Sequence, residues 1–468
     1  MRTLVALVFS SFVFPHSTFS APPNIIFILA DDLGYADVGF HGSEIKTPNI
    51  DKLAAAGAKL ESFYAMPVCT PTRSALMTGR YPIRYGRQYN VLRPNSQVGL
   101  SLDEKLLPEA LREAGYATLH CGKWHLGDFD KSYWPTHRGF DHSYGIRLDQ
   151  RGHVHHFITE ADGMMRDEQP VPDSGTLTQL ITREAVRLIE KRDTNKPLFL
   201  YLAYHSPHNP LECPSEYSKP YAHLGPDRSV YAGMITEMDE GIGRVVAVIE
   251  RAGMRGNTLF IFASDNGGLT TKTPAASNAP LRAGKGSLYE GGVRVVSFAA
   301  WDGHIKPDSV VKEPMHMVDW FPTLMKLAGA ASAHAHPLDG RDIWPVITEY
   351  KPSPHEDLLL NTVGRSGAVR AGDWKLVRKG KAGEDDEGEG AAATTREDKQ
   401  RKRREARNAP DVIELFNIVT DPSEKNNLAE TQPEKVKELL QRLDKYSSEA
   451  VAPILKPGDE KKTSKSAK

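Results

Sequence analysis

Asn24-Ile25-Ile26-Phe27-Ile28-Leu29-Ala30-Asp31-Asp32-Leu33-Gly34 is the stretch whose reading decides the fold. Residues 25–30 are apolar without interruption, where a strand wetted on one face would alternate. The run therefore reads as a strand buried on both faces, as in a parallel sheet. It stops abruptly at two carboxylates. Three further runs behave alike: 258–263 ends in Ser264-Asp265-Asn266-Gly267-Gly268, 198–204 in His205-Ser206-Pro207-His208, and 116–121 in Gly122-Lys123-Trp124-His125. Helical periodicity fills the intervals at 48–56, 104–114, 177–191 and 231–252, so the alternation is α/β. Ligands of open α/β sheets bind beyond the carboxyl ends of the strands, which is where these polar clusters would gather.

Each cluster has a plain structural reading. Asp31-Asp32 and Asp-Asn-Gly-Gly can simply shape turns, and His205 and His208 can be ordinary loop histidines. Two acidic strings at strand ends, offering hard oxygen donors without cysteine or histidine neighbours, instead fit a calcium or magnesium site. Lys123 and His125 fall on one side of an extended segment, which suits two groups acting on one ligand.

Cys69-Thr70-Pro71-Thr72-Arg73-Ser74-Ala75-Leu76-Met77-Thr78-Gly79-Arg80 reads as a short helix. Thr70 is placed to cap it, Pro71 to occupy its first position and Gly79 to end it. Cys69 then lies at the helix's positive end, where free N–H groups attract an oxyanion. A lone cysteine is otherwise most simply a buried structural thiol.

The Cys-x-Pro-x-Arg pattern followed by Thr-Gly-Arg resembles the signature of the type I sulfatases. Gly122-Lys123-Trp124-His125-Leu126-Gly127 is similar to that family's second signature. Ser264 to Gly268, Gly284-Lys285, Glu290-Gly291-Gly292-Val293-Arg294, and Leu415-Phe416-Asn417-Ile418 with Asp421-Pro422 also look like family blocks. Residues 101–108, Arg138-Gly139-Phe140-Asp141, Tyr231-Ala232-Gly233-Met234 and Met238-Asp239-Glu240 resemble the arylsulfatase B, or N-acetylgalactosamine 4-sulfatase, branch.

The resemblance implies an alkaline-phosphatase-like α/β fold, a large mixed sheet flanked by helices, with a smaller C-terminal domain of antiparallel sheet plus helix. It implies conversion of Cys69 to formylglycine (3-oxoalanine) by a formylglycine-generating or equivalent maturating enzyme. The hydrated aldehyde is then the nucleophile, acting through a covalent sulfo-enzyme intermediate. One Ca2+ would be held by Asp31, Asp32, Asp265 and Asn266 together with the modified Cys69. Arg73 would hold the modified residue and its charge. Lys123 and Lys285 would clamp sulfate oxygens. His125 would take a proton from the hydrate, and His208 would bind sulfate and help protonate the departing alcohol, with His205 a second candidate. The substrate implied is a sulfated carbohydrate, with a 4-O-sulfated galactose or N-acetylgalactosamine suggested by the branch likeness. Two alternatives stay open: a phosphatase or phosphodiesterase of the same superfold, and a catalytically silent binder of sulfated glycans.

The 468 residues allow one large domain plus a smaller one, or three small ones. Lys and Arg number 59 against 60 Asp and Glu, a formal charge of −1, so no global field recruits nucleic acid or anionic membrane. Residues 1–20, a basic start, an apolar run and small residues, read as a signal peptide, which makes the protein secreted or periplasmic. No later run is long and apolar enough to span a membrane. The three cysteines build no disulfide framework; Cys121 with Cys213 is the single pairing left once Cys69 is modified. The catalytic domain is expected over 21–350 and a C-terminal subdomain over 351–468. Inside the latter, 379–410 carries Glu384-Asp385-Asp386-Glu387 and Arg401-Lys402-Arg403-Arg404 with almost no large apolar residue, a solvated excursion between strands. The loop at 147–156 concentrates cationic and hydrogen-bonding groups; Arg151 and His153 are its candidate substrate-binding residues, against the equal alternative of a plain surface loop or a fortuitous metal-binding cluster of histidines.

Overall fold

The computed structural model describes residues 21–89, 91–92, 96–146, 155–271, 275–330, 334–380 and 411–454. The expectations for the leader at 1–20, for most of the charged excursion, and for Arg151 and His153 lie outside them.

The main sheet is built from β1 (Asn24–Ala30), β2 (Ala58–Leu60), β3 (Ala117–Gly122), β4 (His142–Ile146), β5 (Met164–Arg166), β6 (Gln169–Pro170), β7 (Leu198–Ala203), β8 (Thr258–Ser264), β9 (Ser297–Ala300) and β10 (Ser309–Val311). Its order is β10-β2-β9-β8-β1-β7-β3-β4-β5-β6. The central strands from β8 to β4 run parallel, and antiparallel strands extend the sheet on both sides. This is the mixed α/β architecture expected.

Successive side chains of β1 enter different cores, because a strand turns alternate residues to opposite faces. Ile25, Phe27 and Leu29 pack with α2 (Cys69–Thr78), α3 (Leu107–Glu113) and α6 (Trp320–Leu327). Ile26, Ile28 and Ala30 pack with α1 (Pro48–Ala55), α4 (Leu177–Lys191) and α5 (Pro226–Arg251). Residues 25–30 are fully buried, each large side chain contributing about 1.5–3 kcal/mol of transfer free energy. The register aligns the exits: Ala30 pairs with Ser264, Leu29 with Ala203, and Ala203 with Gly122. The polar residues that follow these strands therefore emerge along one edge.

Three helix ends differ from the sequence reading. The Cys69 helix starts at Cys69 itself with Val68 as its N-cap, so Pro71 is the third helical residue. Thr70 does not cap; its hydroxyl donates to the His125 carbonyl and accepts from the Leu92 N–H. Gly79 ends the helix at φ 66°, as expected. Residues 104–106 are not part of α3, because Leu106 is extended and Pro108 sits in the first turn. α5 begins at Pro226, earlier than the apolar periodicity suggests, since Gly225 at φ 86° turns the chain into a proline-started helix.

A second sheet, β11 (Leu358–Val363), β12 (Ser366–Ala371), β13 (Trp374–Lys379) and β14 (Val412–Asn417), is antiparallel throughout. Leu359, Val369, Leu376 and Leu415 on one face meet Leu439 and Leu443 of α7 (Pro433–Glu449). Leu358, Leu360, Ala368, Val377 and Phe416 on the other face meet Tyr64, Tyr289 and Val293 of the main unit. Lys375 lies in that seam with its Nζ 2.9 Å from both Glu290 and Glu424, all three side chains fully buried.

Lys375→Ala removes the cation shared by two buried carboxylates and leaves Glu290 with Arg294 at 3.6 Å; one broken buried pair costs about 3–5 kcal/mol. The expected outcome is a loss of stability of that size in urea unfolding; a loss under about 1 kcal/mol contradicts the role of the triad.

Candidate active site

Strand register, not proximity in sequence, assembles the site. Asp31 and Asp32 leave β1, Asp265 and Asn266 leave β8, Lys123 leaves β3, and His205 to His208 follow β7. The Asp31 N–H bonds to the Ser206 carbonyl and the Asp265 N–H to the Ala30 carbonyl, tying the exits together. Asp32 takes φ 65°, a left-handed conformation that aspartate tolerates better than most residues. Gly267 is required by space, since a Cβ there would stand 1.7 Å from the Gly291 carbonyl oxygen.

Cys69 Sγ lies 3.4 Å from Asp31 Oδ1 and 4.0 Å from Asp32 Oδ1. Lys123 Nζ is 2.5 Å from Asp31 Oδ2, and Lys285 Nζ is 2.8 Å from Asp32 Oδ2. Arg73 donates from Nε and Nη2 to Asp265 Oδ2 at 3.0 and 2.8 Å, and from Nη1 to the Lys123 carbonyl and the Tyr201 hydroxyl. Three carboxylates thus face three cations, with Arg73, Asp31 and Asp265 wholly buried. Burial alone would raise Asp31, but Lys123, His208, Arg73 and Lys285 hold it well below the usual carboxylate range. Burial, helped by the neighbouring Asp31, pushes Asp265 up to about 6. Burial and the charge of Asp265 push the Cys69 thiol well up, so the unmodified side chain stays protonated.

The residues present fit a hard cation. Ligand atoms of Asp31, Asp32, Cys69 and His208 lie within 4.8 Å of one another. Asn266 gives its Nδ2 to Asp32 Oδ1 at 2.7 Å, which leaves its fully buried Oδ1 without a hydrogen-bond partner among the described residues. An orphaned buried oxygen beside carboxylates is what a missing cation would leave. The folded loops bring Cys69 to these oxygens, and His208 Nε2, which has no place in the ligand set implied by the resemblance, stands 3.7 Å from Asp32 Oδ2.

His125 sits at φ 60°, so the 122–125 segment turns and does not alternate as an extended strand would. Its Nε2 meets the Leu92 carbonyl at 2.7 Å. A carbonyl only accepts, so Nε2 carries the proton and Nδ1 keeps its lone pair. Burial, together with Lys123 and Arg73, holds this imidazole well below its ordinary value and therefore neutral. His208 donates Nδ1–H to the Asn209 carbonyl, leaving Nε2 toward Asp32. His156, at the end of the loop expected to bind substrate, reaches the His208 carbonyl with its Nε2 at 2.8 Å.

Supporting residues escaped sequence reading. Tyr231 donates to Asp37 and accepts from the Gly34 N–H, bracing the turn after Asp32. Ser264 Oγ accepts from the Leu33 N–H and donates to the Asn266 carbonyl. Tyr231 and Ser264 carried no signal beyond their place in conspicuous blocks, and the Leu92 carbonyl carried none. No disulfide links Cys69, Cys121 and Cys213.

A fold and a site of this kind define an ester hydrolase working on an oxyanion. The sulfatase family matches residues 23–330. The chain is 37% identical to arylsulfatase J of Mus musculus, over 94% of this chain and 78% of that protein. It is 35% identical to N-acetylgalactosamine-6-sulfatase of Sus scrofa, over 70% of this chain and 66% of that protein. The crystal structure of Ps i-CgsB in complex with k-i-k-neocarrahexaose superposes with a TM-score of 0.81 at 32% identity, over 95% of this chain and 97% of that one. The chain belongs to the sulfatase family and is a sulfuric ester hydrolase with the alkaline-phosphatase-like fold.

Arg73→Lys keeps the charge but cannot reach Asp265, the Lys123 carbonyl and the Tyr201 hydroxyl together. Leaving buried acceptors unmet costs about 1–3 kcal/mol, so urea unfolding should shift by that amount; an unchanged midpoint contradicts the bridging role.

Proposed function

We propose that this chain is an exported, calcium-dependent carbohydrate sulfatase that uses Cys69 as formylglycine. The observation that carries the reading is the convergence of Asp31, Asp32 and Asp265 with Arg73, Lys123 and Lys285 around Cys69. Three carboxylates already balance three cations, so a bound divalent ion makes the pocket cationic and complementary to a sulfate ester. When bound, Ca2+ held by Asp31, Asp32, Asp265, Asn266 and residue 69 supplies charge neutralisation at a sulfate oxygen and at the nucleophile. The formylglycine hydrate supplies a hydroxyl nucleophile that a protonated thiol does not.

The chain's own residues handle orientation and protons. Lys123 and Lys285 offer N–H donors as point charges to sulfate oxygens. His125 Nδ1, neutral with its tautomer set by Leu92, accepts a proton as general base. His208 Nε2 faces the departing alcohol's side, and it protonates that alcohol only after taking up a second proton, since Nδ1 keeps its own on the Asn209 carbonyl and burial holds the imidazole below its ordinary value. Arg73 anchors Asp265 and keeps the first helical turn against the strand ends.

The substrate class is a sulfated glycan, supported by the N-acetylgalactosamine-6-sulfatase relative and by the oligosaccharide complex of Ps i-CgsB. The position proposed is the 4-O-sulfate of a galactose-configured sugar, from the arylsulfatase B likeness, with Arg151 and His153 as contacts to the glycan. A maturating enzyme for Cys69 and export directed by residues 1–20 belong to the same reading. No helix among the described residues is long and apolar enough to cross a membrane.

Cys69→Ala should lower aryl sulfate hydrolysis by at least about 10³-fold while leaving the circular dichroism spectrum unchanged. Wild-type-like turnover in that variant rejects the nucleophile. After chelation, Ca2+ should restore activity, and Asp31→Asn should weaken Ca2+ binding by about 10-fold or more in calorimetry. Restoration by Zn2+ alone favours a phosphatase of the same superfold. Faster hydrolysis of 6-sulfated than of 4-sulfated galactosamine oligosaccharides overturns the position assigned to the ester.

A further inference from the structure

His156 is buried, 3% exposed, with its Nε2 2.8 Å from the His208 carbonyl. A carbonyl only accepts, so Nε2 carries the proton. Burial pushes the imidazole down to about 4, which keeps the ring neutral with one N–H to give. His156 therefore acts on His208 through position and not through charge.

The anchor is itself fixed. The His156 N–H donates to Glu212 Oε2 at 2.9 Å, and the His156 carbonyl accepts at 2.7 Å from the N–H of Leu177, the first residue of α4. Phe157 and Ile158 then pair with Thr176 and Gly175 in a short antiparallel ladder. Beside them Thr178 Oγ1 and Ser206 Oγ share a hydrogen bond of 2.7 Å, and the Ser206 carbonyl accepts from the Asp31 N–H at 3.1 Å. The segment 205–212 is thus tied to the start of α4 through Ser206 directly, and through His208 and Glu212 by way of His156.

The consequence falls on one side chain. The His208 N–H donates to the His205 carbonyl at 2.9 Å while the His208 carbonyl accepts from His156, so the peptide groups on both sides of its Cα are held. Nδ1–H on the Asn209 carbonyl turns the ring and leaves Nε2 3.7 Å from Asp32 Oδ2. The His208 side chain is 30% exposed, so packing alone leaves it room to swing. We propose that His156 is the positioning residue of His208: its Nε2–H on the His208 carbonyl fixes the turn that keeps His208 Nε2 at the catalytic centre. The proposal rests on the sulfatase reading for what it changes in turnover, and the holding contact is tested without turnover.

The first arm is amide hydrogen exchange read by mass spectrometry. His156→Ala removes one buried hydrogen bond and should speed exchange in the 205–213 peptide by about 5- to 10-fold, while β1 and β8 exchange as in wild type. His156→Gln should return the peptide to the wild-type rate, because a glutamine amide nitrogen can stand where the imidazole Nε2 stands. Unchanged exchange at 205–213, or an equal rise in β1 and β8, overturns the proposal whatever the turnover. The second arm uses the leaving group: a sugar alcohol must be protonated as it departs, whereas 4-nitrophenolate leaves as the anion. A placed general acid contributes about 10²–10⁴-fold, so misalignment in His156→Ala should lower kcat by about 10- to 100-fold on a galactose monosulfate that wild type hydrolyses. The same variant should keep kcat on 4-nitrophenyl sulfate within about 3-fold of wild type, and His156→Gln should recover most of the loss on the sugar. Equal losses on both esters, or none on the galactose sulfate, overturn the positioning role. Wild type that hydrolyses neither ester rejects the sulfatase reading, and the exchange arm then decides on His156 alone.

Discussion

Everything in this molecule depends on opposed charges held out of water at the carboxyl ends of four strands. Ionised groups are expensive to bury singly and tolerable when each faces a partner. Arg73 supports the arrangement by joining α2 to β8 through Asp265 and to β3 through the Lys123 carbonyl. Cys69 is carried four residues before Arg73 on the same helix, so the fork that neutralises Asp265 also sets where residue 69 lies. Packing of β1 on both faces makes the platform rigid enough for these distances to persist.

The C-terminal sheet contributes at a distance. Glu424 accepts from the Glu290 N–H, and its carbonyl accepts from Arg282 Nη1 at 3.0 Å. These two contacts flank the segment that carries Lys285, whose own N–H is held by the Gly268 carbonyl at 3.1 Å. The Lys375 triad therefore braces Lys285, the lysine proposed to hold sulfate, as well as the seam between sheets.

Much of this was legible in the chain because buried parallel strands leave uninterrupted apolar runs, and the chemistry begins where those runs stop. Asp31, Asp32, Asp265, Asn266, Lys123 and His208 could be singled out for that reason, and Cys69 with Arg73 from the likeness of their stretch to the sulfatase signature. The N-cap misreading at Thr70 shows the limit: its hydroxyl serves the Leu92 N–H and the His125 carbonyl, partners that only the tertiary fold supplies. The turn at His125 was hidden likewise, since a positive φ at a non-glycine residue leaves no mark in sequence.

Mass spectrometry of the peptide carrying residue 69, isolated from catalytically active protein, tests the central claim most directly. The account predicts an aldehyde at residue 69 that is captured by a hydrazide reagent, in a fraction that rises and falls with specific activity across preparations. Fully active protein in which residue 69 is entirely an unmodified thiol would contradict it.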